Sequence, residues 1–249
     1  MNELKRKLWI EKGILEEKRK LRICDFFSGT HSWTKPYGED EATIFSIDNN
    51  DYFKDSTTVI KDFMELTADE VREHLGGNPD VIYASFPCTT FSVASMGKHW
   101  GGGFRAYIPK SKEAIQALKM LDHLIALIEE LNPRYFFMEN PRAMMRKMSH
   151  VENMVRETVW YCKYGPTEGI LRAKPTDIFG RFPWTWIPRP QCKNHKFENG
   201  IKVSNHCGHV SARRGAKTGT QGMKGNMTRS MIPKELCEEI ANAIKEVLI

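Results

Sequence analysis

The chain has 249 residues, 41% hydrophobic and 27% charged, a balance that fits a globular protein with a sizeable core and excludes a disordered or fibrous one. Net charge is +6 with a pI near 8.9, no run approaches the ~20 apolar residues of a membrane span, and the charged first 22 residues do not read as a secretory signal. Six cysteines, at 24, 88, 162, 192, 207 and 237, are scattered rather than framed, which excludes a disulfide scaffold and predicts reduced thiols in a cytoplasm.

Residues 2–20 predict a solvated, charged helix, and residues 21–27 a strand stopped by Ser28-Gly29-Thr30-His31-Ser32. A second strand spans 42–47 and ends at Asp48, and a weaker third spans 58–62. Thr67-x-x-Glu70 is a capping box opening a short helix. After the turn-prone Gly76-Gly77-Asn78-Pro79, residues 81–86 form a buried apolar strand that delivers Pro87 and Cys88 into a loop. Residues 93–110 hold four glycines among aromatics and predict a long flexible loop, a lid or binding loop in a compact domain. Apolar residues at 115, 118, 121, 124, 125, 128 and 131 predict a long helix ended by Asn132-Pro133. A strand over 134–138 runs into Glu139-Asn140, Ser149-x-x-Glu152 opens another helix, and strands follow over 159–164 and 177–182.

This alternation predicts an α/β fold, a mostly parallel doubly wound sheet with helices on both faces. In such a sheet the strands' carboxyl ends line one crevice, so Asp25/Ser28, Asp48, Cys88 and Glu139 converge there. Residues 183–228 break the pattern and read as a small irregular module before a last helix starting at Pro233. Nine basic residues against the single acid Glu198 between 189 and 229 favour a polyanionic partner, with nucleic acid first.

Four motifs then coincide in order: Asp25-Phe26-Phe27-Ser28-Gly29, Pro87-Cys88-x-x-Phe91-Ser92, Glu139-Asn140 and Ser230-Met231-Ile232-Pro233-Lys234-Glu235-Leu236. Together they resemble the DNA (cytosine-5) methyltransferases, and residues 160–182 with 213–222 resemble the compact phage-encoded branch. The resemblance implies a Rossmann-like S-adenosylmethionine-dependent methyltransferase domain over 1–182 and 229–249, with a basic target-recognition module over 183–228. It implies that Cys88 adds to C6 of a flipped cytosine, that Glu139 supports the ring as a hydrogen-bond and proton donor, and that Asn140 holds the Cys88 loop. Phe27, Ser28, Gly29, Asp48, Asn49, Asp62, Phe63, Pro87 and Ser230 would hold S-adenosylmethionine. Thr89, Ser92, Arg213, Arg214 and Lys217 would contact double-stranded DNA.

Two departures from the family pattern stand out. His31-Ser32 replaces a usual Gly-Gly, and Arg172-x-Lys174-x-Thr176 replaces a Gln-x-Arg-x-Arg segment, leaving Lys174 to contact a phosphate or the base carbonyl. Asp25 reads equally as a structural acceptor for loop amides. Cys24, Cys162 and Cys237 read as core. Cys192-x-x-His195 and His206-Cys207-x-His209 place two thiols and three imidazoles within 18 residues, enough for a structural zinc held by Cys192, Cys207 and His209, or for histidine–phosphate contacts. The expectation is a cytoplasmic monomer, in a bacterial or phage-infected cell, with no protein partner evident and no membrane association, that methylates cytosine C5 in DNA. Its rivals are the same fold acting on RNA or moving another one-carbon group, and a catalytically silent nucleic-acid binder.

Overall fold

The computed structural model describes residues 19–102, 107–192, 196–199, 201–204, 207–209 and 226–249; the expected N-terminal helix lies almost wholly outside these. The chain enters through β1 (Leu21–Phe26), whose five buried residues of six reflect a strand covered on both faces. β2 (Ala42–Asp48), β3 (Val59–Ile60) and β4 (Val81–Ser85) follow, with α1 (Ala68–Leu75) between the last two. A short α2 (Met96–His99) precedes a two-residue ladder of β5 (Trp100–Gly101) and β6 (Ile108–Pro109). Then come α3 (Lys112–Leu131), β7 (Tyr135–Pro141), β8 (Val155–Trp160) and β9 (Pro175–Arg181). A hairpin of β10 (Lys196–Glu198) and β11 (Ile201–Ser204) leads to α4 (Asn226–Ser230) and α5 (Lys234–Leu248).

Seven strands form one sheet in the order β3-β2-β1-β4-β7-β9-β8. Pairing is parallel from β3 to β7, and β9 runs antiparallel between β7 and β8. Successive side chains point to opposite faces, so each central strand feeds two cores. Cys24, Phe26, Ile82, Ala84, Phe136 and Met138 pack with α1 and α3. Ile23, Val81, Tyr83, Tyr135, Phe137 and Ile178 pack with α5. This is the doubly wound α/β arrangement the alternation predicts.

Local chemistry sets the boundaries. The Thr67 hydroxyl accepts from the Glu70 amide at 3.3 Å to cap α1, and the Ser111 hydroxyl accepts from Ala114 at 3.1 Å to cap α3. Asn132 ends α3 in the left-handed conformation at φ 42°. At Gly180 in β9 an added Cβ would lie 1.9 Å from the Phe136 carbonyl oxygen, so the β7–β9 approach admits only glycine.

Four local expectations change. Ser149 opens a single 3-10 turn, Ser149–Val151, instead of a helix, because the chain must already be extended at Val155 to pair with β9 through six successive residues. The strand expected over 159–164 instead begins at Val155 and gives way to a 3-10 turn at Tyr161–Lys163. In the glycine-rich stretch the described residues form α2 and the β5–β6 ladder, pinned by buried Trp100, whose indole N–H donates to the Thr90 carbonyl at 2.9 Å. Pro233 sits one position before the last helix, its ψ of 135° being extended. Among the described residues no helix is long and apolar enough to cross a membrane.

Candidate active site

Parallel register aligns the strand ends that matter. Phe26 lies beside Ile47 on one side and Ala84 on the other, while Ser85 lies beside Glu139. Past those ends the chain lines a cavity of about 640 Å³ that includes Phe27, Ser28, Gly29, Asp48, Asn49, Asp62, Phe63, Pro87 and Ser230. All nine residues expected to hold a cofactor therefore share one space, joined by several the sequence did not flag, including Tyr52, Lys61, Met120 and Met227.

The cavity is built by turns with specific needs. Phe27, Gly29 and His31 all take positive φ, 57°, 45° and 55°, as the chain reverses after β1. That turn is held from the next strand: the Asp48 carboxylate accepts from the Gly29 amide at 2.9 Å with one oxygen and from the Asn50 amide at 2.9 Å with the other. A carboxylate oxygen can accept more than one hydrogen bond, so each still has capacity for a further donor. The Asp62 carboxylate accepts from the Met64 amide at 3.0 Å, capping the 3-10 turn Phe63–Glu65, and the Phe27 and Phe63 rings stand 4.4 Å apart. The Ser28 hydroxyl is buried with no hydrogen-bond partner although it lines the cavity. Ser230 donates its hydroxyl to the Met227 carbonyl at 2.7 Å. The variant His31-Ser32 pair is absorbed by the fold: His31 contacts the Thr57 hydroxyl at 3.2 Å, and the Ser32 hydroxyl accepts from the Ile232 amide at 3.3 Å. Asp25 is fully buried below this turn, accepting from the Thr34 hydroxyl at 3.2 Å, and burial raises its carboxyl well above the ordinary value.

Cys88 stands three residues beyond β4, its carbonyl accepting from the amides of Phe91 and Ser92 at 3.1 and 2.9 Å. Its side chain is open to solvent, yet enough protein surrounds it that desolvation raises the thiol pKa. The Glu139 charge raises it further, while Lys174 and Arg229 pull it down. Glu139 is buried in β7, accepts the Tyr161 hydroxyl at 3.0 Å and has the Lys174 ammonium 3.6 Å away. Lys174 also donates to the Arg229 carbonyl at 3.1 Å and lies 4.7 Å over the Tyr161 ring. Burial, then the nearby Glu139 charge, raise the Tyr161 phenol well above its ordinary value and keep it a donor. Asn140, fully buried, donates to the Phe86 carbonyl at 2.9 Å and so ties the end of β7 to the loop bearing Cys88. Tyr161 and Arg229 carry no sequence signal of this kind: one lies in an apolar run, the other among many basic residues.

Thr89 is exposed beside Cys88, and the Ser92 hydroxyl is engaged with that of Ser95 at 2.9 Å. Arg213, Arg214 and Lys217, as well as His195 and His206, lie outside the described residues. Arg172 is buried and donates to the Thr228 carbonyl at 3.1 Å, an internal strut. Cys162 requires a correction: rather than plain core it gathers with Cys192, Cys207 and His209, their ligand atoms all within 4.8 Å of one another. It lies in the turn after β8 and is buried in a small cluster with Trp160, Ala173 and Cys192, apart from the two main cores.

A protein of Frog virus 3 (isolate Goorha), named a probable DNA (cytosine-5)-methyltransferase, is 28% identical over 213 residues, covering 84% of this chain and 92% of its own length. Among solved structures, Entamoeba histolytica methyltransferase EhMeth matches at 13% identity and a TM-score of 0.46, over 70% of this chain and 57% of that one. Residues 22–178, from β1 into β9, match the family described as C-5 cytosine-specific DNA methylase. The chain belongs to the C-5 cytosine-specific DNA methylase family.

Proposed function

We propose that the protein transfers a methyl group from S-adenosylmethionine to C5 of cytosine in double-stranded DNA, with Cys88 as the attacking group. The observation that carries this reading is geometric: β4 and β7 end side by side, so the Cys88 loop, tied by Asn140 to Phe86, adjoins buried Glu139 with its Tyr161 and Lys174 partners and a cavity that the neighbouring Pro87 lines. The cavity suits the cofactor. Asp48 has spare lone pairs for a ribose diol, Phe27 and Phe63 offer apolar faces to an adenine, and the unpartnered Ser28 hydroxyl is placed for an amino-acid end. When bound, S-adenosylmethionine supplies an electrophilic methyl group on a sulfonium.

Cytosine C5 is a weak nucleophile, and Cys88 changes that. Its thiolate bonds to C6, and the ring electrons released make C5 an enamine carbon able to take the methyl group while the donor's carbon–sulfur pair stays on sulfur. Loss of the C5 proton to a base then breaks the C6–S bond and restores the aromatic ring and the free Cys88. Glu139, oriented by the Tyr161 hydroxyl, donates in its protonated form to the ring at N3 as charge builds, contacts the exocyclic amine, and takes the N3 proton back when the ring is restored. Lys174 stands beside that carboxyl to contact the base carbonyl or a phosphate, and Asn140 fixes the loop through Phe86. A stacked base cannot reach this recess, so the cytosine is flipped out. Thr89, Ser92 and the basic segment holding Arg213, Arg214 and Lys217 would grip the backbone. Residues 183–228 would form the recognition module beside a catalytic domain of 1–182 and 229–249.

The test is tritium transfer from labelled S-adenosylmethionine to DNA and to RNA, with Cys88→Ser as control. Label in DNA that vanishes in the variant is expected. Label in RNA alone moves the activity to that polymer, and label in neither removes the enzymatic reading.

A further inference from the structure

Cys162 follows β8 in the turn Tyr161–Lys163, whereas Cys192, Cys207 and His209 arrive from chain thirty or more residues later. All four nevertheless converge, one ligand atom each, with none more than 4.8 Å from another. The Cys192 sulfur is 3.3 Å from that of Cys207 and 3.7 Å from the His209 Nδ1, which is 2.8 Å from the Cys207 sulfur. None of these thiols is in a disulfide, whose sulfurs would stand about 2.05 Å apart. A tetrahedral zinc ion with arms of about 2.3 Å to sulfur and 2.0–2.1 Å to nitrogen would set edges of roughly 3.8 Å between sulfurs and 3.5 Å between sulfur and nitrogen. The 3.7 Å spacing lies close to its edge, the 3.3 and 2.8 Å spacings fall inside theirs, and the 4.8 Å limit keeps the four atoms near the size of one coordination sphere.

The surroundings point the same way. Cys162, Cys192 and His209 are buried, Cys207 partly so, and Trp160, Leu171 and Ala173 pack around the thiols. Three thiols facing one another in an apolar pocket have only weak S–H donors to offer each other, a poor reason for convergence from distant chain. A soft divalent ion would supply one. Thiolate-rich donors select zinc over magnesium, calcium or manganese, and four protein ligands leave no open position for catalysis.

We propose that Cys162, Cys192, Cys207 and His209 bind a structural zinc ion that ties Cys192, Cys207 and His209 to the turn after β8. This tie sits where it matters. Cys162 directly follows Tyr161, whose hydroxyl meets Glu139, and Ala173 directly precedes Lys174. Zinc would thus hold Cys192, Cys207 and His209 close to the turn and strand that carry Tyr161 and Lys174. This inference stands apart from methyl transfer, and its readout is metal.

The full chain, produced in zinc-supplemented medium and purified in reducing, chelator-free buffer, is assayed by plasma mass spectrometry. About one zinc per chain is expected, retained in Cys88→Ser and lost in Cys207→Ser and His209→Ala. Should those variants fold poorly, cobalt exchanged into the unaltered protein decides instead, because a tetrahedral cobalt–thiolate site absorbs strongly in the visible and near ultraviolet. Metal-free protein with a silent cobalt spectrum overturns the proposal. So do iron in place of zinc, zinc that survives both substitutions, and a Cys192–Cys207 disulfide in protein isolated under reducing conditions.

Discussion

Cys88 and the trio Cys162, Cys192 and Cys207 are one residue type in two environments. Cys88 stands alone at a solvent-open edge, with an acid and two cations acting on its sulfur. The trio face one another and an imidazole inside an apolar pocket. On the reading proposed above, the lone thiol in its charge field attacks and leaves, whereas the clustered thiols share an ion. The difference between them lies in the neighbours, not in the side chain.

The sharpest way to break the contrast is to remove Cys88. Cys88→Ala should lower methyl transfer at least ~10⁴-fold, as loss of a nucleophile does, with zinc content unchanged. Transfer assays with metal analysis of the same preparation check both halves, and residual rates within tenfold of the original protein would dissolve the distinction.

Next in size is Glu139→Gln, expected to cost about 10²–10⁴-fold through loss of the proton donation proposed for it. The same change removes the charge that helps hold the Cys88 thiol up, so the sign for alkylation is opposite. Thiolate forms as pH rises through the thiol pKa, and iodoacetamide labelling of Cys88 should move to lower pH in this variant. Lys174→Met removes an opposing charge and should move that labelling to higher pH, with transfer reduced roughly ten- to hundredfold for one lost charge-assisted contact. Identical labelling profiles in both variants would show that these charges do not govern the sulfur. Cys162, Cys192 and Cys207 should stay unlabelled throughout until a chelator is added.

The smallest effect concerns scaffolding. Asn140→Ala strands the buried Phe86 carbonyl, at about 1–3 kcal/mol, and should lower Tm by roughly 2–10 °C. An unchanged melting curve would mean that water replaces the lost donor.

What the sequence reveals follows from what is local. Thr67, Ser111 and Asn132 announce helix ends because capping is a matter of adjacent residues. Phe27, Asp48 and Pro87 can be placed together because parallel strands carry their ends to one side. Ser149 misleads, since a capping pattern yields to strand pairing that begins at Val155. Tyr161, Arg229 and Cys162 stay hidden for another reason. Each meets a partner far along the chain, Glu139, Lys174 or Cys192, and no spacing rule encodes such meetings.

The most direct test of Cys88 as nucleophile uses duplex DNA with 5-fluorocytosine throughout, incubated with the protein and S-adenosylmethionine. Fluorine at C5 cannot leave as a proton does, so an attacked base stays bonded to its attacker. A denaturant-resistant complex, with peptide mass analysis placing the modified base on Cys88 and no complex in Cys88→Ser, is the predicted result. No covalent complex, or one that persists in Cys88→Ser, would contradict it.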